Sequence, residues 1–149
     1  MSRMRVCVVC LGNICRSPLG EAALRAEAEA AGLEIEVDSA GTGGWHAGEA
    51  PDVRSIRAAE RAGMDISSQR ARQLTLEDLD AFDWILAMDE QNKADILALG
   101  ESRARVALFL PEGGAVPDPY YQDDAAFDRV VALVRPAASV WISRWKTAP

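Results

Sequence analysis

One short stretch of the chain combines a nucleophile with groups that can bind an anion. Ser17 follows Arg16, and Cys10 is separated from Arg16 by five residues, Leu11, Gly12, Asn13, Ile14 and Cys15. A thiolate can attack phosphorus, while a guanidinium presents a planar fork that matches two phosphoryl oxygens. A tightly curled loop can also turn its backbone N–H groups inward as an anion nest. The stretch therefore predicts phosphoryl transfer through a covalent intermediate on Cys10.

The secondary structure expected on either side of this loop would hold it in place. Residues 5–10 form an apolar run that predicts a buried strand, and residues 18–31, rich in Ala, Glu and Leu, predict a helix with Ser17 as its cap. Gly12 and Asn13 are residue types that tolerate a positive φ in a tight loop. A helix N-terminus and a guanidinium beside the sulfur favour its thiolate form.

The rest of the chain alternates between strand-like and helix-like segments. Further strands are expected at residues 33–38, 82–88 and 106–110, and further helices at residues 52–62, 90–99 and 123–145. This alternation predicts one α/β domain over residues 1–149, with a four-stranded parallel sheet covered by helices on both faces in three layers. Ligands bind beyond the carboxyl ends of the strands in such sheets. The functional residues should therefore lie in the loops that follow the strands, among them residues 39–51 and 111–122.

The composition argues against several classes of protein. The net charge of −7 disfavours nucleic acid and anionic membrane surfaces as partners, so an anionic ligand needs a local positive site. The single histidine leaves little material for a zinc site. Three cysteines clustered between residues 7 and 15 are a poor disulfide framework. Because no apolar run suits a signal peptide or a membrane span either, the sequence predicts a cytoplasmic protein with reduced thiols.

Several blocks of the sequence resemble one known family. Residues 8–18, Val-Val-Cys-Leu-Gly-Asn-Ile-Cys-Arg-Ser-Pro, look like the signature of the low-molecular-weight protein tyrosine phosphatases. The likeness continues in order through Asp38-Ser39-Ala40-Gly41-Thr42, Trp45-His46, Ala71-Arg72-Gln73, Ala87-Met88-Asp89-Glu90 and Asp118-Pro119-Tyr120-Tyr121. The resemblance implies a flavodoxin-like, Rossmann-like sheet with strand order 2-1-3-4. It also implies hydrolysis of phosphotyrosine and small aryl phosphates through a cysteinyl-phosphate intermediate, with no cofactor and no metal.

The resemblance assigns Cys10 as the nucleophile, Arg16 as the phosphate clamp and Asp118 as the general acid. The chemistry agrees, because a tyrosyl oxygen has a pKa near ~10 and leaves more readily once it is protonated. Pro117 and Pro119 restrict the backbone around Asp118, so the loop presents its acid with little entropy to lose. The same carboxylate can then activate the water that hydrolyses the intermediate.

The family pattern also implies a substrate cleft beside the phosphate-binding loop of residues 11–17. The cleft would consist of Leu11 on the floor and the aromatic walls Trp45, Tyr120 and Tyr121, which stack on a phosphotyrosine ring. Tyrosine-phosphorylated proteins are the expected substrates, and the protein is expected to be a monomer.

Other residues are implied as supports of the loop. Asn13 and Ser39 hold its unusual conformation, Ser17 stabilises the thiolate by a hydrogen bond, and Asp89 buttresses the arginine. Cys15 is implied as a redox partner that forms a reversible disulfide with the nucleophile and protects it from irreversible oxidation.

Three alternatives stay open on this scaffold. A protein-arginine phosphatase typically carries threonine where this chain has Ile14, so the apolar side chain favours an aryl substrate. An arsenate reductase needs further cysteines downstream, and none follows Cys15. A phosphate-binding module without turnover would usually lack the nucleophile or the acid, both of which are present. A redox Cys-x-x-Cys pair is disfavoured, because Cys7 and Cys10 point to opposite faces of one strand.

Overall fold

The computed structural model describes residues 3–147 and contains the predicted parallel sheet. Its strands are β1 (Met4–Cys10), β2 (Ile35–Gly41), β3 (Trp84–Ala87) and β4 (Arg105–Leu108), each parallel to its neighbours, in the order β2-β1-β3-β4. The fold class and strand order predicted from the sequence are thus confirmed. The last five residues of β1 are buried, which explains why this central strand is apolar on both faces.

Five helices surround the sheet within residues 3–147. They are α1 (Arg16–Ala31), α2 (Val53–Arg61), α3 (Asp78–Ala81), α4 (Glu90–Leu97) and α5 (Asp124–Thr147). Four of them match predicted helices apart from their ends. The short helix α3 was not predicted, because its four residues are too few to show a helical periodicity.

Two hydrophobic clusters lie on opposite faces of the sheet. Cys10 and its neighbours on one face pack with Phe127 and other residues of α1, α2 and α5. Cys7 lies on the other face, in a cluster with Leu79 of α3 and Ile96 of α4. Each fully buried Leu, Ile or Phe stabilises the fold by about 1.5–3 kcal/mol. This arrangement confirms that Cys7 is a core residue that faces away from Cys10.

None of the helices in the described part combines the length and hydropathy that a bilayer crossing requires.

Helix α1 begins at Arg16, two residues before its predicted start. The prediction that Ser17 caps this helix is wrong, because Ser17 lies inside the first turn and the N-cap position is Cys15, whose side chain makes no capping hydrogen bond. The Ser17 hydroxyl instead lies 3.1 Å from the Cys10 sulfur. The earlier start brings the positive end of the helix dipole to this sulfur.

Strand β2 continues to Gly41, beyond its predicted end at residue 38. The last residues still pair with β1, with Ser39 opposite Val8 and Gly41 opposite Cys10. Gly41 also donates its N–H to the Arg72 carbonyl at 2.8 Å. Ser39 therefore belongs to the sheet and not to the loop that was predicted for residues 39–51.

Candidate active site

The loop after β1 closes around the sulfur of Cys10. Cys10 is only 2% exposed, and its Sγ accepts a hydrogen bond from the backbone N–H of Asn13 at 3.3 Å. Ser17 brings its Oγ to 3.1 Å from the same sulfur. The loop thus has the curled shape that the sequence predicted, with both ends of residues 10–17 near the sulfur.

Asn13 holds this loop in an unusual backbone conformation. Its φ of 59° is the one positive φ of a non-glycine residue within 3–147. The Nδ2 donates to Ser17 Oγ at 2.7 Å and to Ser39 Oγ at 3.0 Å, while Oδ1 accepts from the Arg72 N–H at 3.0 Å. Ser39 Oγ in turn donates to Glu21 Oε1 at 2.7 Å. Buried hydrogen bonds of this kind offset the cost of the left-handed conformation.

Of the two loop residues whose types tolerate a positive φ, Asn13 adopts one and Gly12 does not. Its small size is used instead for close packing, since a Cβ at this position would lie 3.0 Å from Cδ2 of His46. Gly41 allows a still closer approach, with a Cβ position 2.7 Å from the carbonyl oxygen of Leu11. Both glycines let neighbouring chain segments pack directly against the loop.

Several N–H groups of the loop have no partner within the protein. Among the residues that the structure describes, the N–H groups of Gly12, Ile14, Cys15 and Arg16 donate to no protein acceptor. These amides lie between the buried sulfur and the N-terminus of α1. Unpaired amides at a helix N-terminus form a ready site for an anion.

Arg16 is buried but not isolated. Its side chain is 3% exposed, and Nη1 donates to Asp89 Oδ2 at 2.7 Å and to the Val116 carbonyl at 3.0 Å. Asp89 is held in turn, because its Oδ1 caps α4 by accepting from the Asn92 N–H at 2.7 Å. Arg16 Nη2 makes no hydrogen bond to residues 3–147 and is available for a ligand. A buried, paired guanidinium is a fixed positive charge beside the free amides.

Asp118 lies on the loop that follows β4, at the opposite side of the site. Its Oδ2 is 3.9 Å from Arg16 Nη2, and its Oδ1 accepts from the Tyr120 N–H at 3.1 Å. The side chain is 44% exposed, so this carboxyl group can exchange protons with water. Asp118 is far in the sequence from Cys10 and Arg16, and the fold brings all three to the lining of one cavity.

A cavity of about 250 Å³ opens between the two loops. Seven of the residues that line it are predicted catalytic or cleft residues, namely Cys10, Leu11, Arg16, Trp45, Asp118, Tyr120 and Tyr121. Leu11, the predicted floor of the cleft, lines this cavity and is 42% exposed. The nearly buried Ile14 and Cys15 also line the cavity and give it an apolar side.

The three cysteines lie in different environments, and none forms a disulfide. Burial raises the pKa of the Cys7 thiol well above its ordinary value. Burial also raises the pKa of the Cys15 thiol, and the nearby charges of Asp52 and Cys10 raise it further. Cys7 and Cys15 therefore remain protonated at neutral pH.

Some residues around the site carried no predicted role. His46 lines the cavity, and its Nδ1 lies 3.1 Å from Glu49 Oε2. Glu21 and Arg72 support the loop from behind, through Ser39 and Asn13. The sequence could have indicated a role for Arg72, because this residue lies in the family-like block Ala71-Arg72-Gln73. Nothing in the sequence of α1 marks Glu21 as a supporting residue, because its contact with Ser39 of β2 forms only when the strand packs beside the helix.

Comparisons with known proteins agree with this geometry. The sequence profile of the low molecular weight phosphotyrosine protein phosphatases matches residues 5–148. A low molecular weight phosphotyrosine protein phosphatase of Schizosaccharomyces pombe is 42% identical over 142 residues, which cover 88% of this chain and 90% of that protein. The crystal structure of YfkJ from Bacillus subtilis superposes with a TM-score of 0.90 at 36% identity, covering 100% of this chain and 99% of that one.

A further solved structure carries a different activity in its name. The arginine phosphatase DARP of Drosophila superposes with a TM-score of 0.90 at 25% identity, covering 98% of this chain and 100% of that one. The scaffold alone therefore does not determine the phosphorylated amino acid, and the residues of the cleft must be considered. The profile match along nearly the whole chain and the sequence identity to its members show that this chain belongs to the low molecular weight phosphotyrosine protein phosphatase family.

Proposed function

We propose that Cys10, Arg16 and Asp118 carry out the phosphotyrosine hydrolysis of this family in the present chain. The observation that supports it most is the buried Cys10 sulfur inside a loop whose free amides and Arg16 surround one small space. A phosphoryl group in that space would meet hydrogen-bond donors on several sides. Asp118 lies across the same cavity, within reach of the leaving oxygen of a bound substrate.

In the first step, the Cys10 thiolate attacks phosphorus and a sulfur–phosphorus bond forms as the phosphorus–oxygen bond breaks. Arg16 and the loop amides hold the three equatorial oxygens and stabilise their charge. The tyrosyl oxygen leaves with a proton from Asp118, because a leaving group with a pKa near ~10 departs slowly as an anion.

In the second step, water attacks the phosphorus of the cysteinyl-phosphate. Asp118, now ionised, accepts a proton from that water, and the sulfur–phosphorus bond breaks to release inorganic phosphate and the Cys10 thiolate. The cycle returns both groups to their starting protonation states. The hydrogen bonds from the Asn13 N–H and from Ser17 stabilise the sulfur anion as it leaves.

The walls of the cavity support an aromatic substrate. Trp45 and Tyr121 are 71% and 94% exposed, and the rings of Tyr120 and Tyr121 lie 4.9 Å apart in an edge-to-face arrangement. Exposed aromatic rings at a cavity mouth can stack on the ring of a phosphotyrosine. Ile14 adds an apolar surface deeper in the cavity. These features support phosphotyrosine in proteins over phosphoarginine as the substrate.

The proposal is tested by release of inorganic phosphate from phosphotyrosine, phosphoserine and phosphoarginine peptides, with wild type and with Cys10→Ser. We expect phosphotyrosine to be hydrolysed fastest and Cys10→Ser to lose at least about 10⁴-fold in kcat. Faster turnover of phosphoarginine would overturn the substrate assignment. Turnover by Cys10→Ser at the wild-type rate would overturn the nucleophile. Binding of phosphopeptide with no release of phosphate by wild type would indicate a binding module.

We also propose that Cys15 protects the nucleophile from oxidation. Peroxide would convert the Cys10 thiolate to a sulfenic acid, and the Cys15 sulfur would then form a disulfide with loss of water. Both side chains line the same cavity. After a peroxide pulse, dithiothreitol should restore less activity to Cys15→Ser than to wild type or to Cys7→Ala, whose altered side chain lies on the other face of the sheet. Equal recovery in all three proteins would contradict this role.

We infer that residues 1–149 form one catalytic domain that acts in the cytoplasm as a monomer. The packing of α5 on α1 and α2, which joins the two halves of the chain in one core, and the three unlinked cysteines support this. Sedimentation at the mass of one chain and recovery in the cytosolic fraction are the expected results.

A further inference from the structure

Arg54, near the start of α2, holds the end of the loop that carries Asp118. Its Nη1 donates to the Gln122 carbonyl at 2.8 Å, and its Nη2 donates to the Tyr120 carbonyl at 3.0 Å. The guanidinium also lies over two aromatic rings, 4.5 Å from the centroid of Phe127 and 5.7 Å from that of Tyr120. One side chain therefore fixes the backbone at two points just after the general acid.

Arg54 is itself fixed by the segment that supports the phosphate-binding loop. Its Nε and Nη2 donate to the two carboxylate oxygens of Asp52 at 3.0 and 2.9 Å. The Asp52 N–H donates to the Ile14 carbonyl at 2.9 Å, and the Ser55 hydroxyl donates to the Cys15 carbonyl at 2.7 Å. The start of α2 thus touches the phosphate-binding loop on one side and, through Arg54, the acid loop on the other.

The acid loop has an anchor on each side of Asp118. On the near side, Val116 is fully buried, its N–H donates to the Met88 carbonyl, and its own carbonyl accepts from Arg16. On the far side, the anchor is Arg54. Between the two anchors, Pro117 and Pro119 limit the backbone to few conformations. Removal of the far anchor leaves the acid tethered at one end only.

We propose that Arg54 is a positioning residue that sets the distance between the general acid and the phosphate-binding loop. This inference rests on the proposed role of Asp118 as the acid. Arg54 touches neither substrate nor the reacting atoms, so its effect must pass through the Tyr120 and Gln122 carbonyls. A lysine cannot replace it, because one ammonium nitrogen cannot bridge a carboxylate and two separate carbonyls. A misplacement of about 1 Å in a catalytic group can cost about 100-fold in rate.

The test compares Arg54→Ala and Arg54→Lys with Arg57→Ala. Arg57 is a matched control, because it lies on the same helix and joins it to α5 through Asp124, at 3.1 Å, without a hydrogen bond to the acid loop. The substrates are phosphotyrosine and para-nitrophenyl phosphate, whose phenol is far more acidic. We expect Arg54→Ala to lower kcat/KM, which reports the step in which the phenol leaves, by about 10- to 100-fold for phosphotyrosine and by less than about 3-fold for the nitrophenyl ester. Arg54→Lys should fall between Arg54→Ala and wild type, and Arg57→Ala should match wild type.

Asp118→Asn is included to separate two kinds of failure. The loss of activity in Asp118→Asn should depend strongly on the leaving group. If it does, but Arg54→Ala loses activity equally with both substrates, Arg54 is merely structural and the inference is overturned. If Asp118→Asn shows no dependence on the leaving group, the proposed acid is wrong. Should Arg54→Ala fail to fold, Asp52→Asn supplies the second variant, because it loosens the fork of Arg54 and keeps its contacts to the acid loop. A loss of activity in Asp52→Asn that is smaller than that of Asp118→Asn and confined to phosphotyrosine supports the inference. An equal fold-loss with both substrates, or no loss with either, overturns it.

Discussion

The phosphate-binding loop and the acid loop form one cavity but are built in opposite ways. The first is buried and cross-linked, and Asn13 alone joins it to Ser17, Ser39 and the backbone of Arg72. The second is more exposed, and within residues 3–147 the Asp118 carboxylate accepts one hydrogen bond, from the neighbouring Tyr120 N–H. A site that must hold a dianion benefits from rigid donors, whereas a group that exchanges protons with water must remain accessible. The difference in construction therefore matches the difference in task.

This comparison predicts different kinetic signatures for the two loops. Damage to the phosphate-binding loop should lower the rate for every phosphate ester, because all of them share the same phosphoryl group. Damage to the acid loop should matter most for esters whose leaving group needs a proton.

Arg16→Lys should lower kcat/KM by about 10³-fold for phosphotyrosine and for para-nitrophenyl phosphate alike. Lysine keeps the charge but loses the fork that allows Arg16 to bond Asp89 and Val116 while it offers Nη2 to the phosphoryl group. Steady-state kinetics with both substrates measure this effect. A loss restricted to one substrate would contradict the assignment of Arg16 to the shared phosphoryl group.

Asp118→Asn should lower kcat/KM by about 10²- to 10³-fold for phosphotyrosine, because the amide cannot donate a proton to the leaving oxygen in the first step. The loss for para-nitrophenyl phosphate should be less than about 10-fold, since its phenolate leaves without help. Glu112→Gln, which alters an exposed acid of the same connection, serves as the control and should behave as wild type.

Asn13→Ala should lower kcat/KM by about 10- to 100-fold with equal effect on both substrates, because it loosens the donors that surround the phosphoryl group. Asn13→Gly removes the same side-chain hydrogen bonds but accepts the φ of 59° without strain. Urea unfolding should therefore show Asn13→Ala to be less stable than Asn13→Gly by about 1 kcal/mol. Equal stabilities would mean that the left-handed conformation is not maintained in the variants.

The ion pair of Asp52 and Arg54 should make a small contribution to stability that depends on pH. Hydrogen bonds from Arg54 lower the pKa of Asp52 below its usual value. Since the folded-state pKa is below the unfolded value, the contribution is present above about pH 4 and is lost as the pH falls through the folded-state pKa. Asp52→Asn should cost about 1 kcal/mol in the free energy of unfolding at pH 7 and less at pH 3.

A second ion pair of α2, between Arg57 and Asp124 of α5, calibrates that measurement. Asp124→Asn breaks the exposed pair with Arg57 and should change the free energy of unfolding by less than about 0.5 kcal/mol at pH 7. An equal cost for Asp52→Asn and Asp124→Asn would show that the Asp52–Arg54 pair is no more than an ordinary surface ion pair.

The sequence predicted the sheet and the phosphate-binding loop because both depend on local patterns. The apolar run of β1, the junction that follows it and the helix-forming run of α1 are contiguous, so composition and spacing reveal them. Asp118 could be recognised because Pro117 and Pro119 and the following tyrosines give its loop a distinctive sequence. Element ends were less predictable, since Ser39 belongs to β2 through its pairing with β1.

The errors share a physical cause. Gly12 was expected to serve the backbone conformation of its own loop, whereas its small size serves a contact with His46. Ser17 was expected to cap α1, but its hydroxyl lies 3.1 Å from the sulfur of Cys10 instead. The partner of Gly12 lies in another loop and the partner of Ser17 lies at the other end of its own loop, so in both cases a contact made on folding decides the role of the residue.

The amino-acid sequence by itself determined the class of fold and predicted the nucleophile, the phosphate clamp and the acid, because these are marked by residue type within short segments. Only the tertiary structure decided how the two loops are joined. Arg54 reaches a carbonyl 66 residues away, and Arg16 meets an aspartate 73 residues away. Such pairs leave no periodic signal in the chain, since the parallel sheet and its covering helices bring them together only after folding.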